Sequence, residues 1–104
     1  MARVFTARSF DVKRTNGSCL VEVAGEVDLA TAAELAGLLS AVGGQVTLDL
    51  TRVTFVDLSG LAVLAGAQRD IVEGGGTLHV RGASRTVLTV LEITGLLDVL
   101  RATA

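Results

Sequence analysis

Ser59 is the side chain in this sequence best placed to do chemistry. It stands in Val53-Thr54-Phe55-Val56-Asp57-Leu58-Ser59-Gly60-Leu61-Ala62-Val63-Leu64, where a short apolar strand runs into Asp57, Ser59 and Gly60 and a helix-like run follows at once. The spacing puts one hydroxyl on a turn at the start of a helix, where the chain changes direction. A hydroxyl there can accept from first-turn amides as a cap. It can also be reached by another protein and phosphorylated, which adds about −1.5 to −2 charges and three acceptor oxygens. The two roles are compatible, since a cap is local and an acceptor needs only access. Asp57 reads either as a strand-end residue bonding turn amides or as part of a signalling surface, and Asp28, in Gly25-Glu26-Val27-Asp28, reads the same way.

The remaining reactive residue types carry less. Cys19 is the one cysteine and lies in the strand-like Ser18-Cys19-Leu20-Val21, so it forms no internal disulfide and reads as a buried thiol. A reactive thiol needs a neighbour that lowers its pKa. His79 stands between Leu78 and Val80 without another histidine or cysteine nearby, which is a surface or interlayer histidine rather than a metal ligand. A serine at a strand-to-helix turn suggests a hydrolase nucleophile, but the flanking pattern is Asp-Leu-Ser-Gly, not Gly-x-Ser-x-Gly. A triad would need His79 as base, and nothing in the sequence brings it to Ser59. The expectation is a protein that is not an enzyme and needs no cofactor. Gly74-Gly75-Gly76 is followed by no Lys-Ser/Thr pair and no helix, so it reads as a turn rather than a phosphate loop.

The elements that must position Ser59 follow from pattern and punctuation. Phe10 to Lys13 and Cys19 to Val23 read as strands joined across Thr15-Asn16-Gly17, since Asn-Gly favours a hairpin. Gly25-Glu26-Val27-Asp28 ends the second strand. Thr31-Ala32-Ala33-Glu34 matches a capping box, and Leu35, Leu38, Leu39 and Val42 make one apolar helix face stopped by Gly43-Gly44. Gln45 to Leu50 alternates as a strand, and Thr51-Arg52 reads as a loop before Val53–Val56. The second helix is expected from about Gly60 to Val72, burying Leu61, Leu64, Ala65, Ile71 and Val72. Thr77 to Arg81 is a strand with Leu78 and Val80 inward. Ser84 caps a third helix bearing Val87, Leu88 and Leu91, which ends at Gly95 in a Schellman-like stop with Leu96 near Leu91. A last short element uses Leu97, Val99 and Leu100. The order ββαβαβα plus a C-terminal tail calls for an α/β fold, a mixed β-sheet with helices packed over it.

Composition agrees. At 104 residues, 50% hydrophobic and 19% charged, the chain reads as one globular domain with a core of its own. A net charge of −2, no basic run and only three aromatic residues leave neither the electrostatic footprint nor the stacking rings of a nucleic-acid binder. No basic-then-apolar leader opens the chain and no apolar run approaches the ~18 residues of a spanning helix. The expectation is a cytoplasmic protein, without membrane or metal.

Taken together these landmarks resemble the STAS domain of bacterial anti-sigma-factor antagonists, over Phe10 to Leu100. The resemblance rests on Gly25-Glu26-Val27-Asp28-Leu29, on Val46-Thr47-Leu48-Asp49-Leu50, on Phe55-Val56-Asp57-Leu58-Ser59-Gly60-Leu61 and on Leu91-Glu92-Ile93-Thr94-Gly95-Leu96. It implies a protein that binds an anti-sigma factor, commonly a serine kinase, and thereby frees a sigma factor. It implies phosphorylation of the serine before the glycine of the Asp-x-Ser-Gly turn, here Ser59, and its reversal by a separate PP2C-type phosphatase. Asp28, Asp57, Leu58, Gly60 and Leu61 are then the partner-binding residues, and the protein a monomer. Leu58 stands where the family often has Ser or Thr, which either strengthens a hydrophobic docking surface or alters kinase recognition. The other reading within the family is a scaffold or sensory subunit of a larger assembly, in lipid transport or of stressosome type.

Overall fold

The computed structural model describes residues 9–15 and 17–100. The elements run β1 (Ser9–Thr15), β2 (Ser18–Val27), α1 (Leu29–Val42), β3 (Gln45–Val56), α2 (Leu58–Glu73), β4 (Thr77–Arg81), α3 (Arg85–Ile93) and α4 (Leu96–Val99). The expected order stands, and the tail is a short helix. One sheet holds the strands in the order β1-β2-β3-β4. β1 and β2 pair antiparallel with Thr15 opposite Ser18, while β2, β3 and β4 run parallel. Asn16, half of the expected hairpin signal, lies outside the described residues.

Sequential parallel strands joined by right-handed crossovers carry α1 and α2 over the same face of the sheet. That face holds the core. Val21, Val23, Val46, Leu48, Leu50, Leu78 and Val80 alternate inward and meet Leu35 and Leu39 of α1 and Leu61, Leu64, Ala67 and Ile71 of α2. Val87 and Leu91 of α3 complete it, with Leu100 after α4. Cys19 is buried there too, as its strand pattern implies. The Leu100 carbonyl accepts the Val80 N–H at 3.0 Å along the free side of β4. The opposite face bears Thr47, Asp49 and His79, half-buried, and is laced by ion pairs: Lys13 with Glu22 at 3.0 Å and Arg81 with Asp49 at 3.1 Å.

Three expectations are corrected. Thr51-Arg52 is not a loop, because β3 is one strand of 12 residues. Pairing to β2 continues through Ala24 with Arg52 and Gly25 with Val53. Between the Glu22–Asp49 and Val27–Val56 pairs the register shifts twice, and β3 uses two more residues than β2. Such bulges break the period-two burial without ending a strand, which is what made the polar pair look like a loop. Likewise β2 does not end at Val23 but reaches Val27, with Gly25 at φ 92° beside a register shift. Finally, α2 buries Ala67 rather than Val72, which is exposed, and Ala65 is only half-buried.

Helix ends are capped by short polar side chains. Ser84 caps α3 as expected, accepting from Val87 N–H at 3.2 Å. At its other end Gly95 has φ 76° and donates to the Glu92 carbonyl at 3.1 Å, the inner bond of a Schellman stop. The capping box Thr31–Glu34 is not formed. α1 starts earlier, with Asp28 as its cap, and Thr31 sits in the first turn fully buried.

Candidate functional site

Val27 and Val56 are paired neighbours at the ends of β2 and β3, and each is followed by the same residues, Asp then Leu. Both aspartates adopt extended backbone and cap the helix that follows. Asp28 Oδ1 accepts from Thr31 N–H at 2.9 Å and from the Thr31 hydroxyl at 2.9 Å. Asp57 Oδ1 accepts from Gly60 N–H at 2.7 Å. Adjacent parallel strands lie about 4.8 Å apart, so two copies of one strand-to-helix turn stand side by side at the C-terminal end of the sheet. They are joined directly, since Asp57 N–H donates to the Val27 carbonyl at 3.1 Å.

This geometry corrects the role of Ser59 as a cap. The cap is Asp57, and the helix begins at Leu58, so Ser59 is the second helical residue, with an exposed side chain. The hydroxyl is therefore spared capping and faces water. A helix start leaves its first amides without carbonyl partners inside the helix. Here Asp57 takes the amide of Gly60, and the Leu61 amide closes the first turn on the Asp57 carbonyl at 3.0 Å. The amides of Leu58 and Ser59 remain at the helix start, beside a carboxylate.

Gly60 is fully buried against β2. A Cβ built there would lie 2.6 Å from the Val27 carbonyl oxygen, 3.2 Å from Val27 Cγ1 and 3.3 Å from Asp57 Oδ1. Only a residue without a side chain lets the first turn of α2 rest on the end of β2. Gly60 is thus a packing residue. Leu61 is 2% exposed, in the core beneath the turn. Asp28 and Asp57 are half-buried, their carboxylates committed to first-turn donors. Leu58 is 68% exposed.

The sequence reading missed two residues of this region. Leu29, the first residue of α1, is 59% exposed, and Phe55, next to the end of β3 and paired with Glu26, is 54% exposed. The signal for Leu29 was the repeated tripeptide Val27-Asp28-Leu29 and Val56-Asp57-Leu58.

The other polar cluster lies on the open sheet face. Asp49 accepts from the Thr51 N–H at 2.8 Å, the Thr51 hydroxyl at 2.6 Å and Arg81 Nε at 3.1 Å. Burial pushes its carboxyl up, but the Thr51 donors and the Arg81 guanidinium together outweigh this and hold it below the ordinary carboxylate value. Gly82, at φ 71°, is pressed against Thr51 there, and the cluster reads as a clamp between β3 and the exit of β4. Among the described residues no group of three or more His, Cys, Asp and Glu side chains converges as a metal site, and no helix is long and apolar enough to cross a membrane.

Known proteins resemble this chain in sequence and in fold. A family model described as "Mlab, STAS domain" matches residues 10–101. The anti-sigma-B factor antagonist of Bacillus subtilis is 30% identical over 97 residues, covering 90% of this chain and 89% of its own. Among solved structures, an anti-sigma factor antagonist from Mycobacterium paratuberculosis superposes with a TM-score of 0.79 at 25% identity, covering 92% of this chain and 85% of its own. The anti-sigma factor antagonist SpoIIAA in its unphosphorylated form gives 0.76 at 20% identity, covering 92% and 88%, a likeness of fold. The phosphorylated form of the same Bacillus protein gives 0.70, also at 20% identity, covering 92% and 91%.

Proposed function

The chain belongs to the STAS domain family, and on that premise we propose that it is an anti-sigma-factor antagonist switched by phosphorylation of Ser59. In its unmodified form it binds an anti-sigma factor that is also a serine kinase, and so frees a sigma factor. Phosphorylation of Ser59 ends that binding, and a phosphatase of PP2C type restores it. The protein works in the cytoplasm as a monomer, as a regulator and not as a catalyst.

One observation carries this reading: Ser59 is exposed one residue beyond an exposed leucine, because Asp57 has taken over the capping. A kinase can reach the hydroxyl without unfolding the turn. The phosphate then arrives beside the Asp57 carboxylate, which already holds the Gly60 amide. The Leu58 and Ser59 amides and the helix dipole steady the modified turn, so the fold survives. A partner seated on Leu58 meets a different surface. Closing an apolar contact over an unpaired charge costs several kcal/mol, and about 1.4 kcal/mol is already tenfold in affinity. One phosphate therefore suffices to release a partner with little change of shape.

Incubation with serine-kinase anti-sigma factors from the same genome, with ATP and mass spectrometry, is the direct test. Phosphate is expected on Ser59 and absent from Ser59→Ala. Ser59→Asp is expected to bind the kinase at least tenfold more weakly than the unmodified protein. A Ser59→Asp protein of undiminished affinity would remove the proposal.

A further inference from the structure

The geometry points to Thr86 as a second phosphoacceptor, served by a protein kinase with an acidic substrate cleft. The inference stands apart from the role proposed for Ser59.

β4 runs parallel to β3, so the turn from β4 into α3 lies at the same end of the sheet as the turn from β3 into α2. The two helices open alike. At α2 the cap Asp57 takes the Gly60 amide at 2.7 Å, and Ser59, the second helical residue, is exposed. At α3 the cap Ser84 takes the Val87 amide at 3.2 Å, and Thr86, again the second helical residue, is exposed. In both, the cap two residues earlier spares this hydroxyl from bonding the first turn. α1 opens in the same way but carries Ala30 at that place, with no hydroxyl to modify.

Thr86 also differs from the threonines around it. The hydroxyl of Thr31 donates to Asp28 Oδ1 at 2.9 Å, that of Thr89 to the Arg85 carbonyl at 2.9 Å and that of Thr94 to the Val90 carbonyl at 2.8 Å. The Thr86 hydroxyl has no such partner among the described residues. A committed hydroxyl must give up a bond of about 1 kcal/mol before it can react, and Thr86 has none to give up.

Charge sets the kind of kinase. No acidic residue stands in the first turn of α3, and exposed Arg85 directly precedes Thr86. Arg81 closes β4 with its Nε on Asp49 at 3.1 Å, Arg52 is exposed on β3, and the next acidic residue along α3 is Glu92. A phosphate on Thr86 thus arrives at the positive end of a helix dipole and next to a cation, whereas one on Ser59 arrives beside Asp57. In the transfer Thr86 Oγ1 attacks the γ-phosphorus of ATP, the bond to the β,γ-bridging oxygen breaks, ADP leaves, and the hydroxyl proton passes to a base of the kinase. Arg85 ahead and Val87 behind replace the Leu58 and Gly60 that flank Ser59, so the two sites answer to different kinases. An acidic cleft complements the arginine.

The test incubates the full chain, Ser59→Ala, Thr86→Val and the double variant with ATP and the serine/threonine kinases of the same genome, and maps phosphate by mass spectrometry. The chain isolated from its own cells is mapped alongside. Phosphate is expected on Thr86 in the parent and in Ser59→Ala, and Arg85→Gln is expected to slow its incorporation at least tenfold. Thr86→Glu is expected to raise the melting temperature by a few degrees. Phosphate on Thr86 with none on Ser59 sustains this inference while removing the proposed function. Phosphate on Ser59 alone, both from the kinases and in the isolated chain, overturns it, as does a Thr86→Glu protein that melts below the parent.

Discussion

Replacing Gly60 by alanine offers a measurement with an internal reference. The added Cβ would stand 2.6 Å from the Val27 carbonyl oxygen. That oxygen belongs to the backbone and is held by Asp57 N–H at 3.1 Å, so it cannot swing aside as a side chain would. The first turn of α2 must therefore lift off β2 by several tenths of an ångström. Overpacking of this kind costs about 1–3 kcal/mol. Alanine also gains about 1 kcal/mol over glycine inside a helix, so Gly60→Ala is expected to lose up to about 2 kcal/mol. Gly66, in the same helix, has nothing within 4 Å of its hypothetical Cβ. Gly66→Ala then receives the helical gain alone, about 1 kcal/mol. The difference between the variants isolates the Val27 contact, about 1–3 kcal/mol. At about 4–8 °C per kcal/mol for a domain of this size, it is easily read in a thermal melt, with urea midpoints as a check. Gly60→Ala matching Gly66→Ala to within about 0.5 kcal/mol would refute the close approach of α2 to β2.

Two other outcomes follow from the hydrogen bonds. Asp57→Ala removes the cap of α2 and is expected to cost about 1 kcal/mol, whereas Asp57→Asn should retain most of the stability, since an amide oxygen can still accept from Gly60; urea unfolding of both variants checks this, and equal losses would contradict it. Asp49 titrates below its ordinary value when folded, so its contribution to stability is full above the unfolded pKa of about 3.9 and fades as pH falls through the lower folded value. The stability gap between the parent and Asp49→Asn should accordingly be wider at pH 7 than at pH 2.5 by urea titration; a gap that does not narrow in acid counts against the clamp.

Much of the fold was legible because its signals are local. The alternation of Val46, Leu48 and Leu50, the apolar stripe of α1, the Ser84 cap and the Gly95 stop need no knowledge of distant residues. What was misread depends on pairing. Thr51-Arg52 looks like a loop until β2 is placed beside it, and the bulges that keep both strands in step have no short-range signature. At the candidate site, the surroundings of Asp57 and Gly60 pointed to Ser59, but capping went to the wrong side chain. Thr31 and Ser59 were each taken as the cap, while the aspartates before them do that work. Both are two or three residues into a helix whose start, at Leu29 or Leu58, lies earlier than the apolar periodicity suggests. Gly60 and Leu61 were assigned a role by motif alone, and a motif does not express that both are buried.

The Leu100 carbonyl occupies a position on β4 where an incoming strand would have to bond. Of the two margins of this sheet, one is thus already blunted by the chain itself, and the margin at β1 is the other. Growth by strand addition needs two adhesive margins per molecule to run on without limit. With one blunted, edge-to-edge association through the described strands would close after a single pairing rather than run on towards a fibre.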